Sequence, residues 1–450
     1  MKDKDYLITG RPFTALTAFV TPIIIGSLFQ QFYTMVDSAV VGRFVSEKAL
    51  GAVGASYALT NVFIMIAAGG GIGASVVVSR HFGERRYGQM KTAASTAMIG
   101  FLVMSCILGL FGLLCSRRIM IWLQTPDDVL DMAAEYLGIY FLGLPFMFMY
   151  NVLSSMFNGL GHSREPLIFL IFSSLLNIVL DLLFVAHWSF GVAGAAWATL
   201  IAQGISAVLS FAVFVHTIKG MHDDAETKMR FFSRAELGDI TKIALPSILQ
   251  MSTVSIGMML VQSVVNRFGS EALAGFSAAM RIESICVVPM QSLGTALSSY
   301  TAQNIGAGRN DRVVQGYHVT NRLVIFFAVI ICLALELGYH GLISLFLGST
   351  GTETAYATGE GYLRFMGWFF CMIGFKMSVD GLLRGAGDVK MFTIANLANL
   401  SVRVAVAFIF APLYGIHMVW VAVPIGWTIN FIISYAQYRT GKWSRIYQAA

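Results

Sequence analysis

Two carboxylates interrupt apolar runs long enough to cross a bilayer. Asp181 lies in PLIFLIFSSLLNIVLDLLFVAHW, from Pro166 to Trp188, together with Asn177. The two are four residues apart, so a helix puts them on one face. Asp37 interrupts the first apolar run, QQFYTMVDSAVVG. A carboxylate inside a membrane helix is costly to hold and marks a functional position. Carboxylate, amide and hydroxyl oxygens suit a small hard cation such as Na+. The same carboxylates can instead carry a proton, because burial and like-charge proximity both raise a carboxylate pKa.

The second half of the chain carries other charges in apolar surroundings: Arg281 with Glu283, Arg322 with Glu336, Lys376 with Asp380, and Arg403. Lys376 and Asp380 again share a helix face and read first as an intrahelical ion pair, second as substrate-binding or gating groups. Arg403 needs an acidic partner in a low-dielectric bundle, and Glu283, Glu336 and Asp380 are the choices. Tyr33, Tyr136, Tyr140 and Tyr150 add polar edges near the aspartates. Enzymatic chemistry is not expected. The eight histidines lie singly, with no HExxH, paired-metal or Ser–His–Asp pattern. The five cysteines are also single, without metal-ligand spacing. No resident cofactor is implied beyond a possible Na+ at Asp37, Asn177 and Asp181.

The elements that position these residues are membrane helices. Of 450 residues, 56% are hydrophobic and 12% charged, against about 25% charged in soluble domains. Mean hydropathy is +0.71. The 44 glycines suit close helix packing in lipid. The net charge of +6 comes from short loops and gives no nucleic-acid surface. Apolar runs predict twelve spans at about residues 14–41, 50–78, 92–114, 129–157, 166–186, 192–217, 241–265, 272–300, 314–345, 361–383, 391–411 and 417–437. Pro22, Pro145, Pro246, Pro289 and Pro424 fall inside spans and are expected to kink them. No short apolar segment with a cleavage site follows the charged start, so the first span is expected to be retained.

Twenty of the 30 Lys and Arg fall on the side of the N-terminus. The positive-inside rule therefore puts both termini in the cytoplasm. The longest polar connection, about 218–240, divides an N-terminal lobe (1–217) from a C-terminal lobe (241–450) and forms a cytoplasmic linker. The halves repeat. VVGRF at Val40–Phe44 returns as VVNRF at Val264–Phe268, and Pro22 returns as Pro246, both 224 residues on. SRHFGERR around Gly83 returns loosely as AQNIGAGR around Gly306, and NGLGHSR at Asn158–Arg164 answers RGAGDVK at Arg384–Lys390. Such a parallel repeat predicts an all-α polytopic membrane protein of twelve transmembrane helices. It would form two six-helix bundles related by a pseudo-two-fold axis along the membrane normal, a design suited to alternating access.

Depth follows from the helical rise of 1.5 Å per residue. Asp37 lies about 7 Å, Asp181 about 8 Å and Thr199 about 10 Å from the outer ends of their spans. Asn177 is one turn deeper than Asp181. Four oxygen-bearing side chains thus share one slab of the N-terminal bundle.

The ordered motifs resemble the multidrug and toxic compound extrusion (MATE) transporters over about residues 12–440. They are P22…D37…G42, GASVVVSRHFG at Gly73–Gly83, LGHSREP before the fifth span, NIVLD at Asn177–Asp181 and GVAGAAWAT at Gly191–Thr199. VVNRFGSEALAG, TAQNIGAG and LLRGAGD follow in the second half. The resemblance implies a secondary antiporter of two six-helix lobes. It would expel organic cations or drugs in exchange for H+ or Na+ across the plasma (inner) membrane, as a monomer in contact with lipid. It assigns cation coupling to Asp37, Asn177 and Asp181, with Thr199 as helper. Substrate or gating candidates are Tyr33, Tyr140, Glu283, Lys376, Asp380 and Arg403. Some relatives place coupling acids in the seventh and tenth spans. Here the seventh span has none and Asp380 lies near the inner end of the tenth, so coupling is expected in the N-terminal lobe. The alternative is a flippase for a lipid-linked precursor. It would use Arg281, Arg322, Lys376 and Arg403 as a cationic cavity for a phosphate headgroup.

Overall fold

The computed structural model describes the backbone of residues 5–44, 47–221, 228–348 and 351–446, and their side chains except 37–44, 47–50 and 58. All regular structure among these residues is helical. In chain order the helices are α1 (Tyr6–Thr9), α2 (Pro12–Phe44), α3 (Glu47–Gly83), α4 (Tyr87–Trp122), α5 (Asp127–Gly159) and α6 (Arg164–Asp181). After a π-helical segment come α7 (Gly191–Lys219), α8 (Arg234–Val265), α9 (Ser270–Gly306) and α10 (Asn310–Leu347). The last four are α11 (Glu353–Gly367), α12 (Phe370–Gly385), α13 (Val389–Tyr414) and α14 (His417–Arg439). Among the described residues eleven spans are long and apolar enough to cross a membrane, and α11 with α12, taken as one bent span, makes a twelfth.

That span, expected at about 361–383, begins earlier and is not one continuous helix. It is two helices bent by 55°. The break falls at Trp368 and Phe369, directly after Gly367, whose low helix propensity makes it a natural stopping point. The helices also outrun the expected spans. The 36 residues of α4 extend about 54 Å at the helical rise, well beyond the roughly 30 Å hydrocarbon core. Their exposed faces are apolar: α4 turns Leu102, Ile107, Leu110, Phe111 and Leu114 outward. Such a surface is stable in lipid, where the helix satisfies its own backbone.

The chain packs as two compact units. One comprises Thr21–Ile248, the other Met1–Val20 with Leu249–Ala450. Both packing boundaries fall inside helices, in α2 and in α8. In the first unit α5 packs against α3, α4 and α7, and α6 against α7. The start of α8 lies close on α3: a Cβ added at Gly73 would sit 2.7 Å from the Ala244 backbone nitrogen. The α3–α4 turn ties down the same end of α8. His81 sits between two carboxylates, with Nδ1 3.1 Å from Glu84 and Nε2 3.1 Å from Glu236. Burial pushes the Glu84 carboxyl up, but the hydrogen bond and charge of His81, with Arg80 and Arg86, hold it below its ordinary range.

In the second unit α1 is anchored by α9 and α10. Asn304 Nδ2 donates to the Leu7 carbonyl at 3.2 Å, and Arg312 donates to the Leu7 carbonyl at 3.3 Å and to that of Gly10. Helices α9 and α12 meet backbone to backbone. A Cβ at Gly381 would lie 2.2 Å from the Gly294 carbonyl oxygen. This contact fixes the turn of α12 that carries Lys376 and Asp380.

Candidate functional site

In the first unit three helices bring four of the expected residues together: α2 supplies Tyr33, α6 Asn177 and Asp181, and α7 Thr199. Asn177 and Asp181 are 1% and 0% exposed. An amide has two donors and one acceptor oxygen, so its orientation is set by its neighbours. In the orientation that satisfies them, Asn177 Nδ2 donates to Asp181 Oδ2 and to Tyr33 Oη, both at 3.0 Å. Its oxygen accepts from the Thr199 backbone nitrogen at 3.0 Å. Thr199 Oγ1 donates to the Ala195 carbonyl at 3.0 Å and lies 3.3 Å from the Asn177 amide. Asn177 is therefore the centre of the cluster, linking the carboxylate, the phenol and the hydroxyl. Asp37, expected at the same site, belongs to α2, but its side chain lies outside the described residues.

Directly after Asp181 the helix widens into the π-helical segment Leu182–His187. Such segments recur at functional positions because they break the α-helical ladder locally. Trp188 stacks on Phe184 at 5.4 Å and meets Phe190 at 5.6 Å, closing the segment with aromatic rings.

The cluster borders a cavity of about 220 Å3 within this unit. Among the described residues its polar lining is neutral. Besides Tyr33, Asn177 and Thr199 it includes Gln30, Asn151, Ser154, Asn158 and Gln203. Tyr140 lines a small recess with Tyr136 and Thr199, and its hydroxyl donates to the Thr60 carbonyl at 3.2 Å. The amides were missed in the sequence, yet helical spacing carried a signal. Gln30 precedes Tyr33 by three, Gln203 follows Thr199 by four, and Asn158 follows Asn151 by seven, so each pair shares a face.

The remaining candidates lie in the second unit. Lys376 Nζ is 3.1 Å from Asp380 Oδ2, and both side chains are 2% exposed. Asp380 also accepts from Ser434 at 2.7 Å, Asn396 at 3.3 Å and Gln250 at 3.5 Å. Arg384 donates to Gln250 at 3.2 Å and to Ser298 at 3.4 Å. Glu283 accepts from the Tyr362 hydroxyl at 2.5 Å and has Arg403 as its opposite charge. Of the three acids considered for Arg403, Glu283 is the one whose charge acts on it, without a direct ion pair among the described residues. Glu336 is taken by Arg364 at 3.4 Å and Trp368 at 2.8 Å. Arg281 and Arg322 are exposed. Lys376 is bound to Asp380, and Arg403 is buried.

The family model described as MatE matches this chain twice, over residues 22–183 and 246–409. The two matches begin 224 residues apart, the interval of the internal repeat. The "Probable multidrug resistance protein YpnP" of Bacillus subtilis is 29% identical over 445 residues, 98% of each chain. The "Multidrug export protein MepA" of Staphylococcus aureus is 22% identical, covering 93% of this chain and 92% of its own. Among solved structures, a MOP superfamily transporter from Pyrococcus furiosus superposes with a TM-score of 0.90 at 25% identity, covering 99% of this chain and 98% of its own. An outward-facing MATE family transporter gives 0.89 at 24% identity, covering 99% of both. Two family matches that together span most of the sequence, on a polytopic all-α fold, place this chain in the MatE family of membrane transporters.

Proposed function

We propose that this chain exports organic cations or drugs in exchange for H+ or Na+, by alternating access, with Asp181 at the coupling site. The observation that carries the reading is a buried carboxylate held by Asn177, beside Tyr33 and Thr199, at the edge of a neutral polar cavity. An empty, deprotonated Asp181 is an anion inside a membrane helix, and a cation of either kind neutralises it. Loading H+ or Na+ neutralises it and removes the attraction for a cationic substrate. The Asp181 carboxylate and the Thr199 hydroxyl, with Asp37 as expected from its position in the sequence, offer the oxygen type that Na+ takes; Asn177 turns its nitrogen toward Asp181, so its oxygen joins them after an amide flip. At about 220 Å3 the cavity is smaller than the 300–1,000 Å3 of typical drug-sized sites. It accepts a small organic cation or one end of a larger one. Pro22 lines the same cavity inside α2. It lacks the backbone N–H that would bind residue 18, which makes this turn the natural place for α2 to bend.

The multidrug names of the relatives agree with this reading. Efflux of a labelled organic cation from proteoliposomes, with a pH gradient and a Na+ gradient imposed separately, tests it. At least one gradient alone should drive efflux, and efflux indifferent to both would contradict it. The transporter works as a monomer in the plasma (inner) membrane with both termini in the cytoplasm, the orientation that the Lys and Arg bias favours. A cysteine introduced between residues 117 and 128 should then react with an impermeant label in intact cells. Strong external labelling at residue 228 would reverse the orientation.

A further inference from the structure

The stretch KMRFFSR, Lys228–Arg234, leads into α8 and lies as a strap along α4. Its backbone is fixed by one stripe of α4 side chains. Arg230 N donates to Thr92 Oγ1 at 2.9 Å, Ser95 Oγ donates to the Phe231 carbonyl at 2.6 Å, and Ser233 N donates to Thr96 Oγ1 at 3.0 Å. Thr92, Ser95 and Thr96 stand at i, i+3 and i+4, so they form one face. With the backbone groups satisfied inward, the side chains project outward. Phe231 is 80% exposed and Phe232 44%. Lys228, Arg230 and Arg234 are exposed as well. An aromatic pair this open, flanked by three cations, suits a boundary between water and lipid.

The strap lies at the depth where that boundary falls. Beyond Thr96 the exposed surface of α4 turns apolar, with Ile99, Leu102, Val103 and Ile107. A helix of 36 residues centred on a 30 Å core leaves about 12 Å over at each end. Thr96 is nine residues into α4, about 14 Å along it. The rings of Phe231 and Phe232 are therefore level with the edge of the hydrocarbon, and the cations beside them are level with headgroups. Long basic side chains reach from such a position to phosphate oxygens while their stems stay on apolar surface.

We propose that Lys228–Arg234 is a binding site for an anionic phospholipid headgroup of the phosphatidylglycerol class. In the orientation above it lies in the cytoplasmic leaflet. Phe231 enters the acyl region, and Lys228, Arg230 and Arg234 hold the phosphate and the net negative charge. The occupant is a lipid rather than a free phosphate because the most exposed group in the strap is an aromatic ring, which a free anion leaves in water.

The test is native mass spectrometry of the full chain, released from nanodiscs with equal amounts of phosphatidylglycerol and phosphatidylcholine. Wild type should retain phosphatidylglycerol preferentially, and K228Q/R230Q/R234Q should lower that retention at least about tenfold. The variant R230K/R234K keeps the charge and should keep the preference, and F231S should weaken it with all three cations in place. Millimolar inorganic phosphate should leave the lipid bound. Equal retention of both lipids by wild type, unchanged retention by the triple variant, or full displacement by phosphate would each overturn the assignment. The measurement does not depend on transport, so its outcome is separate from that of the efflux experiment.

Discussion

Neutralising Asp380 alone is expected to remove most folded, active protein, and neutralising Lys376 as well is expected to recover much of it. The pair is 3.1 Å apart with both side chains 2% exposed. Breaking a buried pair on one side costs about 3–5 kcal/mol, because the remaining charge has no compensation. That is a large part of the roughly 5–15 kcal/mol that separates a folded chain from its unfolded state. The surroundings set the order of effects. Asp380 is the acid in a buried group that also contains Lys376 and Arg384, with Gln250 bridging Asp380 and Arg384. Asp380→Asn leaves two cations against none, whereas Lys376→Met leaves Asp380 facing Arg384 and three neutral donors. The single change at Asp380 should therefore be the worse of the two, and K376M/D380N should lie above D380N. Folded yield and Tm in detergent, followed by efflux for the variants that fold, measure this. A double variant expressed normally but without rescue of efflux would assign one of the two groups to substrate handling.

Much of the first-unit cluster was legible because helical geometry is a local property. Asn177 and Asp181 share a face by their spacing alone, and depth arithmetic brought Thr199 to the same level. Tyr33 was a candidate only by proximity, and its bond to Asn177 depends on the rotation of α2 against α6, which spacing does not specify. The amides of the cavity were harder to see. Gln30, Asn151, Asn158 and Gln203 are single neutral residues in apolar helices, where an amide that packs and an amide that lines a cavity look alike. The network around Asp380 draws on α8, α9, α12, α13 and α14. Gln250 and Arg384 are 134 residues apart, and no periodicity reports such a pairing. The break between α11 and α12 was hidden for another reason. Apolar residues continue through Trp368 and Phe369, so hydropathy reads one span where the backbone turns by 55°.

Asp181→Asn is expected to leave a folded protein whose substrate affinity no longer responds to the coupling cation. Asparagine keeps the size of the side chain and one oxygen, so the packing around Asn177 persists. What disappears is the group that is charged when empty and neutral when loaded. On the proposed coupling role the cation and a cationic substrate oppose each other through that charge, and opposition in binding is reciprocal. Couplings of this kind amount to about 1–3 kcal/mol, or 5–150-fold in affinity. The most direct measurement is the Kd of a fluorescent organic cation for purified protein, taken across pH at fixed Na+ and across Na+ at fixed pH. Wild type should bind it 5–150-fold more weakly as H+ or Na+ is raised, while the Asp181→Asn variant should bind it weakly throughout, with a flat profile. A variant that keeps the full cation dependence of the wild type would contradict the placement of coupling at Asp181.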